Sequence, residues 1–179
     1  MFPAFAPFVP PQFGIKAASE AWERAAYYRL RRDVFCSEQG IFASDDRDDV
    51  DETAEAIVAV DYIMGMSDRV VGTVRVVAGE AGIWHGSRLA IAVDYRAVYG
   101  LGSGLVYRAV STAVARGARD FLATVQSANV AFFRRLGWEP IEELLMYGHP
   151  HVLMRADLAL YSALEDPSGV GLLYGRRAS

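Results

Sequence analysis

Three glycines, Gly100, Gly102 and Gly104, crowd the stretch DYRAVYGLGSGLVYRA, which runs from Asp94 to Ala109. They stand where a strand-like apolar run hands over to a helix-like one. The first N–H groups of a helix have no partner inside it, and the helix dipole favours negative charge beside them. Glycine lets such a backbone approach a phosphate closely and adopt positive φ. Arg96 adds a fixed positive charge. Two readings follow: a pyrophosphate site, or a tight turn with no ligand. A P-loop is excluded, because no Gly-Lys-Ser/Thr follows. The dinucleotide fingerprint also fails, since GLGSGL lacks the third glycine at its offset and no ribose-binding acid ends the next strand.

Other residues carry chemistry of their own. His85 and Ser87 lie in WHGSRL, and strand alternation predicts His85, Ser87, Leu89 and Ile91 on one face. An imidazole there could move a proton near neutral pH; the plainer reading is a surface or packed histidine. Glu38 and Gln39 end the first helical run, where a carboxylate can orient a cation or simply cap the helix. The acidic run DDRDDVDE, Asp45 to Glu52, could attract a cationic ligand, with a solvated loop as the plainer reading. It is no EF-hand, because the glycine and closing glutamate are missing at their offsets. His149 and His151 in GHPH make a weak metal case and read as a turn. Cys36, the single cysteine, reads as a core thiol.

The elements that must position these groups follow from the 179 residues. That length, 53% of it hydrophobic, suits one domain with a sizeable core. With a formal net charge of -4 and no basic patch, no nucleic-acid partner is expected. No apolar run reaches the ~18 residues of a bilayer span, so no membrane partner is expected. One cysteine rules out a disulfide scaffold and fits a reducing, cytoplasmic setting. Residues 1–12, apolar and broken by prolines, read as an extended arm rather than a signal peptide. FGIKAA predicts a short strand. Ser19 to Gln39 predicts a helix, with Ser19 as N-cap, Gly40 as stop and an apolar stripe of Trp22, Ala26, Leu30 and Val34. AEAIVAVDYI and RVVGTVRVVA predict an antiparallel pair, and GIWHGSRLAIAV a further strand. A helix is expected from Gly104 to Arg116, then the strand RDFLATVQ, buried on both faces as a parallel neighbour of the preceding strand. A short helix in SANVAFFRRLGW and two strands, IEELLMYG and HVLMRADL, follow. A short helix and loose tail occupy 157–179. The fold class is a mixed α/β sheet, antiparallel first and parallel in the middle.

In this order the motifs resemble the GNAT superfamily of N-acetyltransferases. That family holds the acetyl-CoA pyrophosphate in a Gln/Arg-x-x-Gly-x-Gly/Ala loop. Here Gly100 and Gly102 take the glycine places, Ala97 stands where Gln/Arg belongs, and Arg96 is one residue early. LRRDVFCSEQGIF resembles a first-helix signature, VVGTVRV the third strand, and SANVAFFRRLGW the fourth helix, with Asn129 in its asparagine place. The likeness covers residues 13–156 and is greatest to a bacterial group of nitrogen-starvation N-acetyltransferases.

The resemblance implies acetyl-CoA as co-substrate and an amine that attacks its thioester directly, with no metal. It implies central strands splayed around pantetheine, which pairs with backbone near Leu89, Ile91 and Val93. Leu101, Ser103 and Gly104 join Gly100 and Gly102 in the cradle, and Arg96, Asn129 and Phe133 complete the cofactor contacts. His85, Glu38 and Ser87 are the catalytic candidates. Phe133 stands where the family's acid tyrosine belongs, so that acid is lacking. A small amine is the expected partner, and the apolar arm and tail are candidates for a homodimer interface. RRDVF…DRDDVD is also faintly similar to acyl-homoserine-lactone synthases, although their tryptophan after the first helix is missing. A non-catalytic acyl-CoA sensor is the third alternative.

Overall fold

The computed structural model describes residues 12–63, 65–166 and 169–174. In chain order it comprises β1 (Gln12–Ala17), α1 (Ala21–Arg32), β2 (Glu55–Ile63), β3 (Met66–Ala78), β4 (Ile83–Ile91), α2 (Leu101–Ala115), β5 (Asp120–Gln126), α3 (Val130–Arg135), β6 (Trp138–Met146), β7 (His149–Ala156) and β8 (Gly171–Tyr174). The strands form one sheet in the order β6-β7-β5-β4-β3-β2-β1-β8. The β4–β5 pair is parallel and the other pairs are antiparallel. The predicted mixed sheet is therefore the observed one.

Each face of the sheet carries a core. On one face α2 sets Leu101, Leu105, Ala109 and Val110 against Val74, Val76, Trp84, Phe121 and Val125. On the other, Tyr27 and Leu30 of α1, with Val34 of the turn that follows it, pack against Val58, Val60, Val70 and Ala90. Val, Ile and Phe at alternate positions of these strands give each face its apolar side.

The first helix differs from its expected form in three ways. Its N-cap is Glu20, not Ser19. The Glu23 carboxylate accepts the N–H groups of both Ser19 and Glu20 at 2.9 and 3.1 Å, which fixes the start one residue later. Past Arg32 the chain widens into a π-helical turn, Asp33–Glu38. There the Gln39 N–H bonds the Val34 carbonyl at 2.9 Å, and Gly40, at φ 63°, ends the run. Finally, Trp22 is exposed, whereas Arg31 is 0% exposed beside Tyr27. A lone arginine would not be buried; carboxylates from a distant loop make it tolerable, as described below.

Two further corrections concern chain ends and faces. The expected C-terminal helix is only a 3-10 turn, Leu158–Leu160, and the tail returns as β8 on the edge of β1. A proline at 167 and glycines at 169 and 171 disfavour helix there. The arm at 1–12 lies outside the described residues except for Gln12, the first residue of β1. In β5 the expected burial on both faces is halved: Phe121, Ala123 and Val125 are buried, while Leu122, Thr124 and Gln126 are half-buried, the last two along an open cavity.

Candidate active site

The parallel pair is only partly zipped. β4 and β5 match over Ile83–Gly86 and Asp120–Ala123, after which β4 continues to Ile91 and β5 to Gln126 without pairing. Gly86 sits at the apex of this split. A Cβ there would lie 2.8 Å from the Phe121 ring, so the close approach of ring to strand requires glycine.

A bulge re-aims β4 just beyond the apex. Thr73 pairs with Ala90 and Arg75 with Ser87, so β4 carries an extra residue, and Arg88 takes φ 56°. The Thr73 hydroxyl donates to the Arg88 carbonyl at 3.1 Å and pins it. An inserted residue inverts alternation downstream. The expected single face of His85, Ser87, Leu89 and Ile91 is therefore broken. His85 and Ser87 lie opposite Val77 and Arg75 on the α1 side, while Leu89 and Ile91 pack against the α2-side core.

A cavity of about 450 Å³ occupies the split. Its polar wall carries Arg75, His85, Ser87, Arg88, Thr124, Gln126 and His151; its apolar depth reaches Val106, Phe121, Phe133 and Trp138. The roof is aromatic. Tyr147 and Gly148 both take positive φ in the tight β6–β7 turn. That aims the Tyr147 ring at Phe42, centroid to centroid 4.7 Å, and the Arg88 guanidinium covers the Phe42 ring at 4.9 Å. Gln126 donates to the Gln39 side chain at 2.9 Å, tying the end of β5 to the end of the first helical run.

The acidic run is solvated at Asp45, Asp49 and Glu52, which are exposed, but Asp46, Asp48 and Asp51 are tied to arginines. Arg31 donates to Asp46 at 2.8 Å and to both oxygens of Asp51 at 2.5 and 3.0 Å. Arg75 donates to both oxygens of Asp48 at 2.5 and 3.2 Å, and through Nε to the Ser87 hydroxyl oxygen at 2.9 Å. Arg88 reaches Asp48 at 3.1 Å. Arg88 Nε also stands 2.8 Å from Asp46 Oδ2, near enough for an ion pair but off the line of a hydrogen bond. Three acids thus face three arginines. Burial alone would raise the Asp51 carboxyl, but hydrogen bonds from Arg31 and the Asp48 backbone, with the Arg31 and Arg75 charges, hold it at about 2. Burial pushes the neighbouring Tyr27 phenol up to about 12.

At the other end of the split, α2 begins three residues earlier than the sequence predicts. Gly100 at φ 83° is its N-cap, and Gly102 and Gly104 lie inside its first turn. Gly104 N–H already bonds the Gly100 carbonyl at 2.8 Å, and the Ser103 hydroxyl donates to that same carbonyl at 3.1 Å. The N–H groups of Gly102 and Ser103 precede the first complete helical bond and have no acceptor within the helix. The Leu101 side chain is fully buried, so it offers a ligand only its backbone.

The remaining predicted residues are distributed unevenly. Ser87, His85, Leu89, Asn129 and Phe133 all line the cavity. Phe133 is buried against Trp138, centroids 5.1 Å apart, with no hydroxyl to offer. Val93 is exposed in a 3-10 turn after β4. Glu38 and Arg96 are not cavity residues: they bind each other in a two-pronged pair at 2.7 and 2.6 Å, each side chain 41% exposed. The Arg96 hydrogen bond, with its charge, lowers the Glu38 carboxyl. Arg31, Arg75 and Arg88 were missed, and His151, read as a turn residue, lies in β7 on the cavity wall. The signal for the arginines was the excess of aspartates across the loop, which had to be answered by buried cations. Among the described residues no group of three His, Cys, Asp or Glu side chains could hold a metal ion. No helix among them is long and apolar enough to cross a membrane.

An open mixed sheet, split at one parallel pair and bulged on the strand facing a helix N-terminus, is the architecture of an N-acyltransferase. The acetyltransferase (GNAT) family model matches residues 17–138, and the chain belongs to that family, whose members use acyl-CoA as co-substrate. The fold is similar to a Lactobacillus plantarum protein described as an N-acetyltransferase (26% identity, 82% of this chain, 98% of that one, TM-score 0.71). It is also similar to an acyl-CoA N-acyltransferase from Pseudomonas aeruginosa (22% identity, 80% and 97%, TM-score 0.65). A CoA-dependent acyl-homoserine-lactone synthase, BjaI, shares the fold at 19% identity (82% and 83%, TM-score 0.63). No curated protein sequence matches the chain.

Proposed function

We propose that this protein transfers an acetyl group from acetyl-CoA to the amine of a small molecule by direct attack. The carrying observation is the split between β4 and β5, open from Gly86 onward and ending at the α2 N-terminus. In this reading the pyrophosphate rests on the N–H groups of Gly102 and Ser103, and pantetheine pairs with the free edge of β4 around Leu89 to Val93. The thioester then lies at the bulge, facing the polar wall. The amine nitrogen forms a bond to the carbonyl carbon, the C–S bond breaks, and the electron pair leaves with sulfur as CoA thiolate. Backbone N–H groups fixed by the Arg88 bulge are suited to the developing oxyanion. With phenylalanine at 133, the thiolate leaves unaided and takes its proton from solvent.

A second reading, acyl transfer of the lactone-synthase kind, is favoured by one observation. Arg31 of the first helix is bound to Asp46 and Asp51 of the acidic segment, the two features likened above to those synthases. Calorimetry with acetyl-CoA, followed by free-thiol release over a panel of amines, amino acids and polyamines, tests the proposal. Binding with thiol release is expected. Binding without release across the panel would favour a sensor, and no binding at all would overturn both enzyme readings. Faster release from longer acyl-CoA, with S-adenosylmethionine as acceptor, would favour the second.

A further inference from the structure

His151 is buried on the cavity wall, 6% exposed, and nothing in the acyl-CoA path accounts for it. Its Nδ1 lies 2.8 Å from the His149 carbonyl oxygen. A carbonyl only accepts, so Nδ1 carries the proton and Nε2 keeps its lone pair. Among the described residues Nε2 has no hydrogen-bond partner. The backbone thus holds one tautomer, with its basic nitrogen unspent.

Position separates His151 from His85. His151 pairs with Gln126, past Ala123, the last β5 residue matched to β4. It stands beside the open part of the split. His85 lies opposite Leu122 in the closed part, exposed, with its ring against the Gly79 turn. We infer that His151, resting on the acyl-transfer reading above, is the base that takes the proton of the attacking amine. As the C–N bond forms, the nitrogen becomes cationic and passes a proton to Nε2. The electron pair of the C–S bond leaves with CoA thiolate, and the imidazolium returns its proton to water.

The charged and titratable groups around His151 are accounted for. Across the cavity, Asp48, Arg75 and Arg88 compensate one another. His85 and Tyr147 complete the lining. On its own strand His149 and Arg155 flank it, the latter paired with Asp120 of β5. On β6 it faces Leu144, with the exposed Glu143 and Glu142 one and two pairs further along.

His151→Asn places an amide N–H where Nδ1–H stands, keeping the bond to the His149 carbonyl while removing Nε2. Acetyl-CoA affinity is expected to stay within about twofold, while kcat falls about 100-fold or more, the usual weight of a general base. The wild-type kcat/KM should show a histidine-dependent rise with pH, the imidazole rise, and His151→Asn should keep only the rise that follows the free amine. Should His151→Asn fail to fold, a His85→Asn/His149→Asn variant, in which His151 is the remaining histidine, must still show the imidazole rise. An unchanged profile in His151→Asn, or its loss in the double variant, overturns the inference. Failure of the acyl-transfer reading is distinct: wild type then binds no acyl-CoA or releases no thiol.

Discussion

The glycine turn and the acidic loop flank the unpaired stretch of β4, at Ile91 and at Arg88, and treat their polarity in opposite ways. In the loop, Asp46, Asp48 and Asp51 are consumed by Arg31, Arg75 and Arg88. At the turn, the N–H groups of Gly102 and Ser103 are left over by helix geometry itself, and no side chain among the described residues caps the helix. A charge-rich stretch is thus scaffolding here, while an uncharged one keeps its backbone donors unspent. What matters is which donors and acceptors the fold leaves unpaired.

The largest way to break the contrast is to unpair the loop. Asp46 and Arg31 are both 0% exposed at their side chains. Removing one partner of such a pair strands a buried charge at a cost of about 3–5 kcal/mol. Asp46→Ala should lower the urea-unfolding free energy by that amount; a loss below about 1 kcal/mol would mean the loop is the solvated surface its composition suggests. Next in size is Gly102→Asp. A Cβ there meets Ile91 Cδ1 at 3.3 Å and the Phe132 ring at 3.4 Å, side-chain atoms that can yield slightly. A carboxylate in the first turn favours the helix by about 0.3–1 kcal/mol, so the free protein should keep or gain stability. The same charge repels a pyrophosphate, and acetyl-CoA binding by calorimetry should weaken at least ~100-fold, about 2.8 kcal/mol. Parallel loss of stability and binding would mean that the glycines serve the fold alone.

How far the sequence reached follows the same division. Period-2 and period-3.6 patterns mark strands and helices, because each face must find a core; the order β1 to β7 with its parallel pair was legible on that ground. The bulge was not, since one inserted residue at Arg88 leaves composition untouched yet turns Leu89 and Ile91 to the other face. Arg31 lies outside the expected stripe of Trp22, Ala26, Leu30 and Val34, and its carboxylate partners, 15 and 20 residues away, left no local sign of its burial. His151 was read as part of a turn because GHPH looks like one; the turn is only Tyr147–Gly148, so His151 falls inside β7. The glycine turn was legible as a strand-to-helix handover because positive φ at Gly100 is a local property.

Acid provides a smaller break. The folded Asp51 carboxyl sits at about 2, below its ordinary 3.8. A depressed carboxyl contributes stability that is complete above the unfolded value and is lost as pH falls through the folded one. Roughly two units correspond to about 2–3 kcal/mol. Unfolding free energy should therefore drop between about pH 4 and pH 2, and Asp51→Asn should flatten that drop. An unchanged slope would place the acid sensitivity elsewhere than in the loop.

The smallest effect sits where the two regions nearly meet, at the exposed pair of Glu38 and Arg96. Exposed pairs contribute no more than about 1 kcal/mol, so Glu38→Gln should leave stability almost unmoved. Its consequence for binding has a sign. Glu38 now occupies both prongs of the Arg96 guanidinium, which lies just before the Gly100 turn. Neutralising Glu38 releases that guanidinium toward a phosphate, and acetyl-CoA affinity should rise by about two- to fivefold at low salt. The gain should fade as salt screens the charge. If affinity instead falls, the pair holds the turn in shape, and Arg96 belongs with the loop arginines, spent on its own protein.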